Sequence, residues 1–290
     1  MNTPSKPSAN VTDPSLPINP DRHSLSLPPI LVAVASISLF LTITVGSALF
    51  FYPEVIQDRW VWPLKPYNTR FLGAIYLAAA VGFTSLLTAR RSALARLIVP
   101  MIFVFTTNAL MVSCLQLQQF NIARRATDFW FLVYIADCVV SGYYWGYYRR
   151  HAFAGLRRLS RLWSVGLGVQ AGLMGAYGLS LLFFPATTGG NWLWPLDVFH
   201  SQIYSSLFLS GAAGAAILSR RAAAVELRAL GSIQVVFSGL VLLGIGIVDR
   251  EMLMADWGLF LNWVWMLAIA LLGLSGLGLI GQAKKAKALE

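Results

Sequence analysis

Residues 29–52 read PILVAVASISLFLTITVGSALFFY, a run without a single charged side chain. An apolar segment of roughly 18 or more residues is long enough to cross the hydrocarbon core of a bilayer as a helix. The whole chain has the same character, because 57% of its residues are hydrophobic and only 12% are charged. Soluble domains are about one quarter charged. The sequence therefore predicts an integral membrane protein.

Further apolar runs follow the first, each of about the length that a membrane-spanning helix needs. Backbone groups in lipid must form hydrogen bonds within their own segment, so runs of this length are helices rather than strands. We predict an all-α polytopic membrane helical bundle with about eight transmembrane helices. The predicted spans are residues 29–52, 71–89, 97–118, 129–148, 162–184, 203–219, 229–248 and 257–281.

The regions outside the spans complete the predicted domain organisation. Residues 1–27 are rich in Pro and Ser, and this composition predicts a disordered cytoplasmic tail. Residues 28–150 form the first predicted four-helix repeat, and residues 151–282 form the second. Residues 283–290 form a basic cytoplasmic C-terminal tail.

The positions of the 22 Lys and Arg residues predict the orientation of the chain. They lie in short clusters between the apolar runs, which disfavours nucleic acid as a partner and points to the lipid bilayer. The N-terminal tail, the second, fourth and sixth loops and the C-terminus hold 16 of them, and the other loops hold 6. We predict a protein of the inner (cytoplasmic) membrane, and the positive-inside rule places both termini in the cytoplasm. The pair Arg124-Arg125, in a predicted outer loop, is discordant.

An internal repeat is the second long-range pattern in the chain. The matching residues are Phe51-Tyr52-Pro53 and Trp60-Val61-Trp62-Pro63-Leu64 in the first copy, and Phe183-Phe184-Pro185 and Trp192-Leu193-Trp194-Pro195-Leu196 in the second. In each matching pair, the second residue follows the first by the same number of positions as Phe183 follows Phe51. We call this number of positions the repeat offset. When the sequence is shifted by the repeat offset, the first four apolar runs also align with the last four. Four spans per copy is an even number, so we predict two tandem parallel repeats related by an axis along the membrane normal.

The W-x-W-P-L element of each copy has two interpretations. Tryptophan favours the headgroup level of a membrane and proline stops a helix, so each element could be an interfacial anchor in an aromatic belt. The alternative is a lid over a cavity between the two halves. The residues of this interfacial motif are Trp60, Trp62, Pro63, Trp192, Trp194 and Pro195.

This element, with the Arg70-Phe71-Leu72-Gly73-Ala74 that follows its first copy, resembles a pattern in uncharacterised bacterial multi-pass membrane proteins. The resemblance covers the loop and the start of the next span in each half. It implies no activity and no catalytic residue. The second copy has Gln202-Ile203-Tyr204-Ser205 where the first has Arg70-Phe71-Leu72-Gly73, which indicates that the halves have specialised.

Asp137 is the ionisable residue nearest to the centre of a predicted span. Carboxylates at that depth are costly, and they often belong to ligand or ion sites. Residues spaced three or four apart share one face of a helix, so Asp137 is predicted to lie on a polar and aromatic face. The other members of that face are Trp130, Tyr134, Ser141, Tyr144 and Tyr148.

The preceding span supplies polar residues that could face Asp137. We predict a polar, aromatic-lined site within the first repeat, in which Ser113 faces Asp137 and a neutral Asp137 carboxyl donates a hydrogen bond to Gln116 or Asn108. The alternative is that these side chains only form hydrogen bonds between helices and hold the bundle together.

No motif in the sequence fixes a reaction. It contains no phosphate-binding loop, no nucleophile elbow and no paired catalytic carboxylates. Its cysteines and histidines lack metal-binding spacing, so no metal and no cofactor are expected. Three functions remain: a carrier or binding protein for a small or lipophilic molecule, a non-catalytic scaffold or complex subunit, and an intramembrane enzyme acting on a lipid or isoprenoid. The duplication and Asp137 favour the first.

Overall fold

A computed structural model describes residues 27–89, 92–150, 156–252 and 255–287. These ranges contain ten α-helices, and the predicted all-α polytopic bundle is confirmed. The helices are α1 (Pro29–Phe51), α2 (Pro53–Gln57), α3 (Pro66–Ala89), α4 (Ser92–Leu115), α5 (Arg125–Tyr148), α6 (Arg161–Phe183), α7 (Pro185–Gly190), α8 (Val198–Arg220), α9 (Ala224–Met252) and α10 (Phe260–Lys287).

Seven of these helices are long and apolar enough to cross a membrane: α1, α3, α4, α6, α8, α9 and α10. The eighth long helix, α5, falls outside this group because Asp137 and its many tyrosine and tryptophan side chains lower its hydropathy. Its 24 residues correspond to about 36 Å of helix, against a hydrocarbon core of about 30 Å. Length therefore does not separate α5 from the other seven.

The ends of the chain differ in part from the prediction. The predicted tail, residues 1–27, lies outside the described residues except for Leu27, which packs into the core. Residues 283–287 of the predicted C-terminal tail continue α10 as helix. Helix α3 begins five residues before its predicted span. Its polar first turn, with Asn68 and Thr69, is buried inside the protein, so hydropathy alone did not reveal it.

Proline sets the ends of α1 and α6 in the same way. The residues after these helices, Tyr52 and Phe184, leave the helical conformation at φ −129°, ψ 51° and φ −125°, ψ 52°. Pro53 and Pro185 then begin the short helices α2 and α7, as expected for a residue that cannot donate a helical hydrogen bond. We call residues 52–65 the first elbow and residues 184–197 the second elbow.

The long helices pack in pairs that join the two halves of the chain. Within the first half α1 packs on α3 and α4 packs on α5, and within the second half α6 packs on α8 and α9 packs on α10. Across the halves, α3 packs on α9 and α4 packs on α8. The second and third long helices of each half therefore form the centre of the bundle.

Reciprocal side-chain contacts occur where the halves meet. Trp62 of the first elbow packs edge to face on Phe199 of α8, with ring centroids 5.2 Å apart. Trp194 of the second elbow stacks on Tyr67 of α3, with centroids 4.8 Å apart. The repeat offset separates Trp194 from Trp62, and it also separates Phe199 from Tyr67. Each elbow thus packs on the opposite half through corresponding positions.

A second reciprocal pair lies deeper in the bundle. A Cβ atom at Gly82 of α3 would lie 3.3 Å from Ile233 of α9, and a Cβ atom at Gly214 of α8 would lie 2.7 Å from the sulfur of Met101 of α4. The repeat offset relates Gly214 to Gly82, and it relates Ile233 to Met101. Glycine at these positions allows the central helices to approach closely.

Candidate functional site

A chamber of about 310 Å³ lies between the two halves of the bundle. Side chains from all eight long helices and from the first elbow line it, and most of them are apolar. The predicted site was confined to the first repeat. The chamber instead extends across both halves, because the central helices of the second half, α8 and α9, form its far wall.

Asp137 contributes the carboxyl group of the chamber. It lies on α5 with 8% of its surface exposed. The hydroxyl of Ser38, on α1, donates to the carboxyl, at 2.8 Å from Oδ1 and 3.1 Å from Oδ2. Thr42, one helical turn after Ser38, also lines the chamber, and its hydroxyl donates to the Ser38 carbonyl at 2.7 Å. The polar wall beside Asp137 therefore comes from α1.

Four aromatic side chains share the chamber wall with Asp137. Trp130 and Tyr134 both belong to α5, and their rings stack on each other with centroids 4.0 Å apart. Trp60 of the first elbow lies edge to face against Trp130 at 6.2 Å and against Tyr76 of α3 at 6.4 Å. The hydroxyls of Tyr76 and Tyr134 are 3.4 Å apart. All four rings line the chamber.

Gln234 of α9 is a further polar lining residue of the chamber. Its side chain is buried at 5% exposure, and its Oε1 atom has no hydrogen-bond partner among the described residues. Thr106 and Ser210 also line the chamber, but their hydroxyls already donate to backbone carbonyls. A buried amide oxygen without a donor is costly, so Gln234 is available to a ligand that donates a hydrogen bond.

The predicted face of α5 is buried along its length, but only part of it reaches the chamber. Trp130, Tyr134 and Asp137 line the chamber. Ser141 donates to the Asp137 carbonyl one turn away, and Tyr144 packs in the core near the other end of α5. Ser141 and Tyr144 are thus buried without being part of the chamber wall.

The predicted pairing of Asp137 with Asn108 or Gln116 is wrong. Asn108 donates to Ser205 and Ser206 of α8 at 2.8 and 2.9 Å, and Gln116 donates to Gln202 of α8 at 2.7 Å. These bonds join the halves, because α4 packs on α8 as well as on α5.

Ser113 lies on α4 beside the aromatic wall. It accepts a hydrogen bond from the indole of Trp130 at 3.2 Å and donates to the Ala109 carbonyl. Ser113 therefore positions the Trp130 ring rather than lining the chamber.

The elbow tryptophans point into the protein. Trp62, Trp192 and Trp194 are all buried at 4% exposure or less, whereas Pro63 and Pro195 are exposed. Trp194 donates from its indole to the Asn68 side chain at 2.7 Å. Residues in an aromatic belt would lie at the surface, so the prediction of a belt anchor does not describe these three rings.

The first elbow forms one end of the chamber. Arg59, Trp60 and Val61 line it, as do Ala126 and Phe129 at the start of α5. Arg59, Ala126 and Phe129 are exposed, so the chamber reaches the surface here. The loop before α5 fixes the elbow, because Arg124 donates to the Trp60 carbonyl and the Asn121 amide donates to the Val61 carbonyl at 2.8 Å. This contact gives the discordant Arg124 a structural role.

Sequence reasoning missed Ser38, Tyr76 and Arg59 as chamber residues. The spacing of Ser38 and Thr42, one turn apart in an otherwise apolar run, was the signal that could have placed them on a common buried face. No comparable signal marked Tyr76, whose position depends on how α3 packs against the elbow.

A second polar contact lies at the start of α8, away from the chamber. Asp197 accepts hydrogen bonds from the His200 amide at 2.8 Å and from the His200 ring at 2.7 Å, and so caps the helix. Burial raises the pKa of Asp197, but hydrogen bonds from His200 and charge interactions with His200 and Lys65 outweigh it and hold the pKa below its usual value.

In the described ranges, no group of three His, Cys, Asp or Glu side chains lies close enough to share a metal ion. Comparison with family models, with curated proteins and with solved structures finds no match to this chain.

Proposed function

We propose that the chain is a carrier or binding protein for a small lipophilic molecule, which it holds in the chamber between its halves. The observation that carries the proposal is the chamber itself, about 310 Å³ with mostly apolar walls and a few polar groups. Ligand pockets have volumes of about 300 Å³ or more and the same mixture of walls. Phe129 and Arg59 are exposed at the place where the chamber reaches the surface, which we call its mouth. A lipophilic molecule can enter the chamber there from the membrane or its interface.

The two alternatives have less support. A scaffold gains stability from close packing, and a chamber of this size between the halves forgoes packing contacts that a purely structural bundle would make. An enzyme acting on a lipid needs, beside Asp137, a second acid–base group that titrates near neutral pH, and the neighbouring hydroxyls of Tyr76 and Tyr134 belong to side chains with an ordinary pKa of about 10. Among the described residues, the side-chain hydrogen bonds of Asp137 come from Ser38 alone, and no basic residue pairs with it.

We further propose that α5 is the eighth span, that both termini are cytoplasmic in an inner membrane, and that the halves are tandem parallel repeats. The repeat offset between corresponding helices and the two reciprocal contact pairs support the repeat. A pseudo-twofold axis through the bundle centre would make each cross-half contact occur twice, as in a symmetric dimer.

Binding of a small apolar probe tests the proposal. The purified protein in lipid nanodiscs is equilibrated with tert-butylbenzene in sealed vials, and the free probe is measured in the headspace against empty nanodiscs. We expect saturable uptake of one molecule per chain. Uptake equal to that of empty nanodiscs at all concentrations would overturn the proposal.

A matched pair of variants locates the site. Ala79 lines the chamber and Ala216 of α8 is exposed on the surface, so Ala79→Phe and Ala216→Phe add the same side chain inside and outside the chamber. We expect Ala79→Phe to weaken probe binding by at least about tenfold, equivalent to about 1.4 kcal/mol, and Ala216→Phe to leave it unchanged. Equal affinities would place the bound probe outside the chamber.

A further inference from the structure

We propose that the ligand of the chamber is a lipophilic monocation: a small apolar molecule that carries one ammonium or similar cationic group, bound at Asp137. This inference rests on the proposed function, because it names the ligand class of the same chamber.

The first argument concerns the charge of Asp137. Its carboxyl lines the chamber and receives side-chain hydrogen bonds from one hydroxyl, that of Ser38. In the part of the chain that the structure describes, no Lys, Arg or His side chain lies within ion-pair distance of it. A buried carboxylate is costly unless it is paired, and a cationic ligand supplies the missing partner.

The second argument concerns the aromatic rings. Trp60, Tyr76, Trp130 and Tyr134 line the same part of the chamber and contact one another. The faces of such rings attract cations, and aromatic cages with a carboxylate are suited to ammonium groups whose own surface is apolar. An anionic head group would be repelled by the Asp137 carboxylate, so this wall disfavours it.

The remaining walls determine the rest of the ligand. Apolar side chains from α3, α4, α8 and α9 line most of the volume, so the body of the ligand is apolar. A chamber of about 310 Å³ is at the small end of the range for ligand pockets, so the ligand is a compact molecule.

Arg59 is the other charged residue that lines the chamber, and its positive charge repels a cationic ligand. It lies on the first elbow and is exposed, so water and salt screen it. It is not paired with Asp137. A cation that enters past Arg59 therefore meets a screened charge at the mouth and an unpaired carboxyl inside.

Two probes of nearly equal shape test the charge preference. Phenyltrimethylammonium and tert-butylbenzene differ essentially by one positive charge, so their affinities are compared in nanodiscs, the first by equilibrium dialysis and the second by headspace analysis. We expect the cation to bind the wild-type protein at least about tenfold more tightly, equivalent to about 1.4 kcal/mol.

Matched variants assign that preference to one carboxyl. Asp137→Asn keeps the shape and the hydrogen bond from Ser38, and we expect it to lower the ratio of cation affinity to tert-butylbenzene affinity at least tenfold. Asp128→Asn makes the same change on the exposed surface of α5 and should change neither affinity.

The outcomes separate the two proposals. If tert-butylbenzene binds in the chamber and the cation binds no more tightly, the chamber takes neutral molecules and the present inference is wrong. If neither probe binds saturably, the proposed function itself fails. The wild-type ratio of affinities decides the question even if Asp137→Asn does not fold.

Discussion

The ion pair between Arg96 and Glu226 permits a quantitative prediction about how the halves are held together. Arg96 of α4 donates to both carboxylate oxygens of Glu226 of α9, at 2.9 and 2.8 Å. Glu226 is fully buried, and the Arg96 side chain is 19% exposed. Arg96 also donates to the Arg221 carbonyl at 2.9 Å, and Glu226 accepts from the Ala223 amide at 2.7 Å.

Removing only the arginine should destabilise the protein strongly. Arg96→Met leaves the buried carboxylate with one backbone donor, and loss of one partner of a buried pair costs about 3–5 kcal/mol. Replacing both partners removes the uncompensated charge, so Arg96→Met with Glu226→Leu should be more stable than the sum of the single changes by at least about 2 kcal/mol.

Thermal unfolding in detergent, followed by intrinsic fluorescence, measures these effects. For Arg96→Met we expect a fall in Tm on the order of 5–15 °C. The control is Arg228→Met, because Arg228 is exposed and occupies the position that corresponds to Arg96 in the second half. If Arg96→Met and Arg228→Met lower the Tm equally, or the effects of the two changes at the ion pair are additive, the buried Glu226 carboxylate is not stabilised by Arg96.

Three further predictions follow from local contacts and from topology. Gly231→Ala should destabilise the protein by about 1–3 kcal/mol, since its Cβ would lie 2.5 Å from the Gly276 carbonyl; Gly246→Ala on the same helix has open space and should be neutral or stabilising, and equal effects in thermal unfolding would contradict this packing. Asp197→Ala should cost about 1 kcal/mol as a lost helix cap, and because the pKa of Asp197 is depressed, the carboxylate's stabilisation should be complete above its unfolded pKa of about 3.9 and be lost as the pH falls through the lower folded value; a pH-independent effect in chemical denaturation would refute it. Cysteines placed one at a time in each loop of a variant lacking the native ones should label alternately from the two sides of the membrane, with both termini inside, and an odd number of crossings would contradict the eight-span topology.

The sequence was sufficient to predict the membrane class, the long helices and the buried face of α5. These features depend on local patterns: apolar runs of span length, and the helical period that places Trp130, Tyr134 and Asp137 on one side. The break after the first long helix of each half was also local, since Pro53 and Pro185 begin α2 and α7 directly after it.

The partners of the polar residues could not be predicted from the sequence. Asp137 was expected to pair with α4, yet its partner is Ser38 on α1, far away in the chain. Asn108 and Gln116 point instead to α8. Such pairings depend on how the helices cross, which no local pattern in the sequence encodes.

The elbow tryptophans show how an average tendency can mislead. Tryptophan in a loop between spans is typically an interfacial anchor. Here Trp62 and Trp194 pack between the halves, on Phe199 and on Tyr67. Their burial results from tertiary packing.

Crystals of the protein soaked with bromobenzene test directly whether the chamber binds a small apolar molecule. An apolar chamber of this size should take up a small aromatic molecule, and bromine marks its position by anomalous scattering. We predict an anomalous peak within the chamber, bounded by Trp130, Ala79 and Phe208. A chamber that is filled by rearranged side chains, or peaks only on the lipid-facing surface, would show that the chamber is not a binding site.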